Sequence, residues 1–189
     1  MSIETDRTDD WPLFDGLPGH PMMWVLILSE FAVFGIMLVV TSVTRLLHVE
    51  AFAAGQAALD PKLGALNTLV LVTGGWLAAR ATAAAREHAA GRARLNLLGA
   101  VATGLVFVAV KACEYAAEIE AGIGLETSPF FTLYFLLTGF HALHVVLGAI
   151  ILAVVARSAE AEAVETGAAF WHMVDLVWIV MFPVLYLVH

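Results

Sequence analysis

The sequence predicts an all-α polytopic membrane protein, a bundle of five transmembrane helices, and three observations lead there. Apolar side chains make up 61% of the 189 residues and the mean hydropathy is +0.87, against roughly 45–50% apolar in soluble domains. Apolar runs long enough to cross a bilayer core of ~30 Å as helices recur along the chain. One of them, residues 130–152, reads FFTLYFLLTGFHALHVVLGAIIL and holds no acid or base besides His141 and His144.

Taken in order, residues 1–21 are polar and acidic (Glu4, Asp6, Asp9, Asp10, Asp15) and lack the basic n-region of a cleavable signal, so they read as a soluble tail. The Leu17-Pro-Gly-His-Pro21 run breaks any helix ahead of the first span. That span, 22–44, carries one charge, Glu30. The second, about 63–85, is interrupted by Arg80, which can snorkel to an interface. The third, about 95–117, holds Lys111 and Glu114 near its far end. The fourth is about 129–156, and the fifth, about 168–188, has His172 and Asp175 near its start. Residues 22–188 thus make a single five-helix domain with no room for a second.

Basic residues set the expected orientation. Of the nine Lys and Arg residues, Lys111 lies inside a span. Arg7, Arg80, Arg86, Arg92, Arg94 and Arg157 fall to one side, and only Arg45 and Lys62 to the other. This puts the N-terminus in the cytoplasm, and His189 with an acidic third loop (Glu118, Glu120, Glu126) on the outer side.

The formal charge of −8 names no partner, because the acids are concentrated in the tail and two loops. A basic surface for nucleic acid is absent, as are glycine-rich phosphate loops, a Gly-x-Ser-x-Gly elbow and Cys-x-x-Cys pairs. Cys113 lies within a span and reads as a small buried filler. Small residues mark places where spans can approach closely: Gly74 and Gly75, and Ala100 with Gly104. A small transporter is disfavoured by the lack of internal repeats and of paired broken helices.

Intramembrane polar residues are the candidates for function. Glu30 shares a helical face with Phe34 and Met37, and an ionised carboxylate there costs at least ~2.5 kcal/mol, so it is either protonated or paired. It reads as a proton carrier or as a hydrogen-bonding acid that fixes helix packing. Lys111 and Glu114, at i and i+3, can neutralise each other with Tyr115 beside them. His141 and His144 share a face that Leu137, Gly148 and Ile151 extend. Asp175 can orient the His172 imidazole or bond to another helix, with Trp171 and Trp178 flanking it and expected to shield it from lipid.

Could these residues bind a metal or haem? His141 and His144, with His172 or Glu114 on neighbouring helices, are the right donors for a nitrogen–carboxylate site. The Glu-x-x-His pair of di-iron bundles occurs nowhere in the chain, however, and a b-type haem needs histidines on facing helices at matched depth. The expectation is no bound metal and histidines hydrogen-bonded across the bundle to Glu114, Asp175 and backbone carbonyls. A stand-alone membrane cytochrome is the alternative class.

Five local patterns together resemble the subunit III family of haem–copper respiratory oxidases. The span containing Met23-Trp24 and Ser29-Glu30-Phe31 resembles the family's span with an intramembrane glutamate, and Leu66-Asn67-Thr68 its Asn-Thr helix opening. Lys111-Ala-Cys-Glu114-Tyr115 is similar to Gln-x-x-Glu-Tyr, Thr138-Gly-Phe-His141-Ala-Leu-His144-Val145 to Thr-Gly-Phe-His-Gly-x-His-Val, and Phe170-Trp171-His172-Met173-Val174-Asp175 to Tyr-Trp-His-Phe-Val-Asp. The larger members have seven spans, of which the first two have no counterpart here; Lys111 replaces a glutamine, Ala142 a glycine and Met173 a phenylalanine. The short form, with its Leu17-Pro-Gly-His and Met23-Trp24 opening, looks most like the NorE-type accessory proteins of nitric oxide reductase.

The resemblance implies a non-catalytic accessory subunit in the bacterial inner membrane, with no redox centre of its own. It implies a haem-bearing catalytic partner, carrying copper or non-haem iron besides, which reduces nitric oxide in denitrification or, alternatively, oxygen in aerobic respiration. Structural phospholipids are expected, and no small-molecule substrate. On this reading Glu30, Lys111, Glu114, Tyr115, His141, His144, His172 and Asp175 form a polar network that locks the bundle.

Overall fold

The structure is a computed structural model that describes residues 21–188; the acidic tail, including the expected helix break at 17–20, and His189 lie outside the described residues. Six helices and no strand are found among the described residues: α1 (Pro21–Leu47), α2 (Val49–Ala58), α3 (Pro61–Arg86), α4 (Ala90–Glu120), α5 (Pro129–Ser158) and α6 (Ala161–Tyr186). All but α2 are long and apolar enough to cross a membrane.

Local chemistry sets the helix ends. Asp60 caps α3 by accepting from the Lys62 backbone N–H at 2.9 Å, and Ser128 caps α5 by accepting from Phe131. In both helices a proline follows at the first helical position, where its missing N–H costs nothing. At its other end α5 stops at Ala159, which takes the left-handed conformation (φ 54°), and His88 (φ 56°) turns the chain from α3 into α4.

Several helices outrun their apolar stretches. Ala90 to Arg94 holds no proline, and the one weak helix former, Gly91, falls in the first turn, so the arginines Arg92 and Arg94, which lie ahead of the expected span, belong to the start of α4. At the far end α4 continues to Glu120, which moves Glu118 out of the expected acidic loop and into a helix, where it is buried.

Helices α3, α4, α5 and α6 form a ring in which each packs on the next and α6 returns to α3. α1 lies outside the ring against α5 and α6. Its inward stripe is Ile27, Phe34 and Thr41, one residue every seven, while Val25, Leu28, Ile36, Val39 and Val43 face outward. The short α2 rests on α5 and α1. It also ties down the end of α6: the Gln56 amide donates to the carbonyls of Leu185 (3.0 Å) and Val188 (2.9 Å), and Arg45 donates to the Gln56 side-chain oxygen (3.0 Å). The last carbonyls of a helix have no partner within it, and Gln56 supplies one.

Trp171 fills the centre of the ring without exposure. It fits because three other helices present a glycine to it: Gly74 on α3, Gly104 on α4 and Gly148 on α5. A methyl group at Gly104 would stand 2.7 Å from the indole, inside van der Waals contact. Trp171 and Trp178 therefore serve the ring interior rather than shielding Asp175 from lipid. Trp178 packs edge-on against Phe107 (4.8 Å between centroids) and donates to the Thr68 hydroxyl at 3.0 Å.

Candidate functional site

Lys111 lies on the inward face of α4 and is 2% exposed, so its ammonium has to find all its acceptors within the protein. It finds three. Nζ donates to Glu114 Oε2 (2.9 Å), to the Tyr134 hydroxyl on α5 (2.8 Å) and to the Tyr186 hydroxyl on α6 (3.1 Å). Both phenols then donate to the other carboxylate oxygen, Glu114 Oε1, at 3.0 and 2.6 Å. The result is a closed ring of hydrogen bonds joining three helices, with each ammonium proton and each phenol proton used. The ammonium also stands 4.7 Å from the Tyr134 ring centroid and 5.0 Å from that of Tyr115.

The tyrosines are the part that sequence reasoning passed over. Tyr134 precedes Thr138 and His141 by four and seven positions, so the stripe through the histidines carries it onto the same face, and this periodicity was the available signal. Tyr115 stands beside the ring without joining it, since its hydroxyl bonds to that of Thr138. One turn further along α4, neither carboxylate oxygen of the buried Glu118 has a hydrogen-bond partner among the described residues.

A second group joins α1 to α5. The Nδ1–H of His144 donates to the Phe140 carbonyl at 2.8 Å, since a carbonyl can only accept, and this fixes the tautomer. Nε2 then faces Glu30, whose Oε2 is 3.0 Å away but off the line of a hydrogen bond. Phe34 covers the pair, its ring centroid 5.3 Å from that of His144. One turn before, His141 is fully buried and donates through Nε2 to the Val174 carbonyl on α6 (3.1 Å), boxed by Phe107 and Trp178.

The third group is His172 and Asp175 on the face of α6 toward α3, with His172 half-exposed and Asp175 buried against Gly75. His172 Nδ1 stands 3.9 Å from Asp175 Oδ2, beyond hydrogen-bond reach, and Asp175 Oδ1 is buried without a partner. The eight polar residues expected in one network thus fall into separate groups, because residues at i and i+3 share a face while each helix turns that face toward a different neighbour. Among the described residues no histidine hydrogen-bonds to Glu114 or Asp175. Among the described residues no three His, Cys, Asp or Glu side chains converge as metal ligands. Cys113, expected as buried filler, is exposed.

Residues 21–189 match the family model for cytochrome c oxidase subunit III. The chain is 32% identical over 181 residues to a haem–copper oxidase subunit I+III from Aeropyrum pernix, an alignment covering 88% of this chain and 22% of that one. It is 29% identical over 195 residues to cytochrome c oxidase subunit 3 of Thermostichus vulcanus, covering 98% of this chain and 93% of the relative. With the Synechocystis cytochrome c oxidase subunit 3 it shares 32% identity over 142 residues, 70% of this chain and 60% of that one. The chain therefore spans about a fifth of the archaeal relative and nearly all of the Thermostichus one.

Proposed function

We propose that this chain, which belongs to the cytochrome c oxidase subunit III family, acts as a non-catalytic subunit that braces a haem-bearing catalytic partner in the bacterial inner membrane. The observation that carries the reading is the closed ring at Lys111. Its charges and phenol protons are consumed in holding α4, α5 and α6 together, which suits a scaffold rather than a reaction centre. The groups at Glu30–His144 and at His141 likewise join helices. The partner carries the haem and any copper or non-haem iron.

On the same reading the complex reduces nitric oxide in denitrification. The NorE-like opening at Leu17-Pro-Gly-His and Met23-Trp24 supports this. Oxygen as the substrate is the second reading, favoured by the Thermostichus relative, an oxidase subunit aligned over 93% of its length. The preponderance of Arg at one end of the bundle supports an N-terminus in the cytoplasm and a C-terminus outside. An apolar cleft of about 420 Å³, walled by Trp24, Ile27 and Phe31 of α1 and by Ala168 and Met173 of α6, has the Arg86–Glu165 ion pair at its edge and suits a structural phospholipid.

Affinity purification of the tagged chain from native membranes tests the reading. Recovery with a nitric oxide reductase is the expected result. Recovery with a copper-A-bearing oxidase would move the assignment to oxygen, and a reduced-minus-oxidised Soret band in the isolated chain, lost in His141→Ala, would overturn the non-catalytic role.

A further inference from the structure

Asp175 poses a problem that the isolated chain does not solve. Its side chain is 8% exposed, Oδ1 has no hydrogen-bond partner among the described residues, and the His172 imidazole is too far away to serve. By position it sits roughly 21 Å along α6 from Ala161 and roughly 17 Å from Tyr186 at 1.5 Å per residue, near mid-membrane. Lipid headgroups do not reach that depth and acyl chains carry no donor, so an orphan carboxyl there is costly. The carboxyl sits directly on Gly75, where any side chain would displace it, so α3 leaves space for the acid and offers it no partner.

The site is open to the outside. A groove of about 400 Å³ between α3 and α6 is lined by Gly75, Trp76, Ala79, His172, Asp175 and Ile179, with His172 47% exposed along it. On its rim the exposed Arg80 lies over the Trp76 ring, 4.9 Å from the centroid, and no carboxylate among the described residues is in ion-pair reach of it. Along α3, Arg80 is roughly 7 Å from the level of Asp175. The groove thus offers an acceptor at mid-membrane and a cation one to two turns away, over small residues that allow close backbone approach.

We infer that the α3–α6 groove is the docking site for a transmembrane helix of the catalytic subunit, one that presents a hydrogen-bond donor to Asp175. The inference rests on the accessory-subunit reading above. It commits to a protein helix because only protein brings a donor to this depth, and to a helix of another chain because the ring of this one is closed elsewhere. Arg80 would meet an acidic or carbonyl group on the same helix.

The experiment is photo-crosslinking in membranes that contain the complete complex, with a photoreactive residue at Ala79 or Ile179 in the groove and at Leu143 on the outer face of α5 as control. Adducts with the catalytic subunit are expected from 79 and 179 and not from 143. Asp175→Ala should lower both adduct yield and co-purification by about tenfold, while leaving the thermal midpoint of the isolated chain no lower than the parent's. Val72→Trp, which fills the groove from an exposed position that does not line the α1–α6 cleft, should do the same. Adducts only to lipid, only to a second copy of this chain or only from 143, or yields insensitive to Asp175→Ala, would overturn the docking site while leaving the function standing. Failure of the unaltered chain to co-purify with any catalytic subunit would overturn both.

Discussion

Lys111 Nζ stands 2.9 Å from Glu114 Oε2 within one turn of α4, and both side chains are buried. Two charges withdrawn from water this completely hold together only while each keeps its partner. Lys111→Met should therefore cost about 3–5 kcal/mol, because it leaves Glu114 and two phenols without their cation. The double variant Lys111→Met, Glu114→Leu should recover most of that loss. Thermal unfolding of the purified chain in detergent, followed by tryptophan fluorescence, reads both. A single variant as stable as the parent would show that the ring does not hold the helices.

Glu30 and His144 should respond differently. The His144 tautomer is fixed by the Phe140 carbonyl, so Nε2 meets whatever stands at position 30. Glu30→Gln keeps the shape and supplies an amide donor, and the expected result is a folded bundle with little change in midpoint. Glu30→Ala removes the partner of Nε2 and should cost about 1–3 kcal/mol. Equal loss in both variants would mean that the carboxylate charge itself is required.

The space around Trp171 makes a steric prediction. Gly104→Ala places a methyl group against the indole and should destabilise by about 1–3 kcal/mol, with Gly104→Val worse. Gly35, where an added methyl group would have no neighbour within 4 Å, is the control, and Gly35→Ala should be neutral or slightly stabilising. Comparable midpoints for the two alanine variants would refute the packing argument.

Gln56 predicts a local effect. Gln56→Ala should free the carbonyls at the end of α6 and loosen its last turn without unfolding the ring. Hydrogen exchange should show the amides of Leu187 and Val188, which bond to the Pro183 carbonyl, opening about tenfold faster. Unchanged protection there would assign the anchoring to other contacts.

These variants also mark what the sequence made legible. Five apolar runs announced five long helices because only a helix satisfies its own backbone in lipid. The pairing of Lys111 with Glu114 was readable because residues at i and i+3 meet on one helix whatever surrounds them. Tyr186 was not, since its place in the ring depends on how α6 rotates against α4, and for Tyr134 the period put it on the histidine stripe without showing which side chains it would meet. α2 escaped for a related reason: ten residues of alanine-rich chain between spans carry no strong period, and Gln56 gains its role only when the end of α6 arrives beside it. The expected contact of Asp175 with another helix failed within this chain because α3 meets it with a glycine.

The lateral position of α1 has a consequence for biosynthesis. Of the six described helices it is synthesised first, yet the surfaces that receive it belong to α5 and α6, made after the other four. In the interval it must wait in the bilayer as a solitary span. Its almost uniformly greasy exterior suits that wait, and Glu30 is the single uncomfortable point until the imidazole of His144 arrives to meet it.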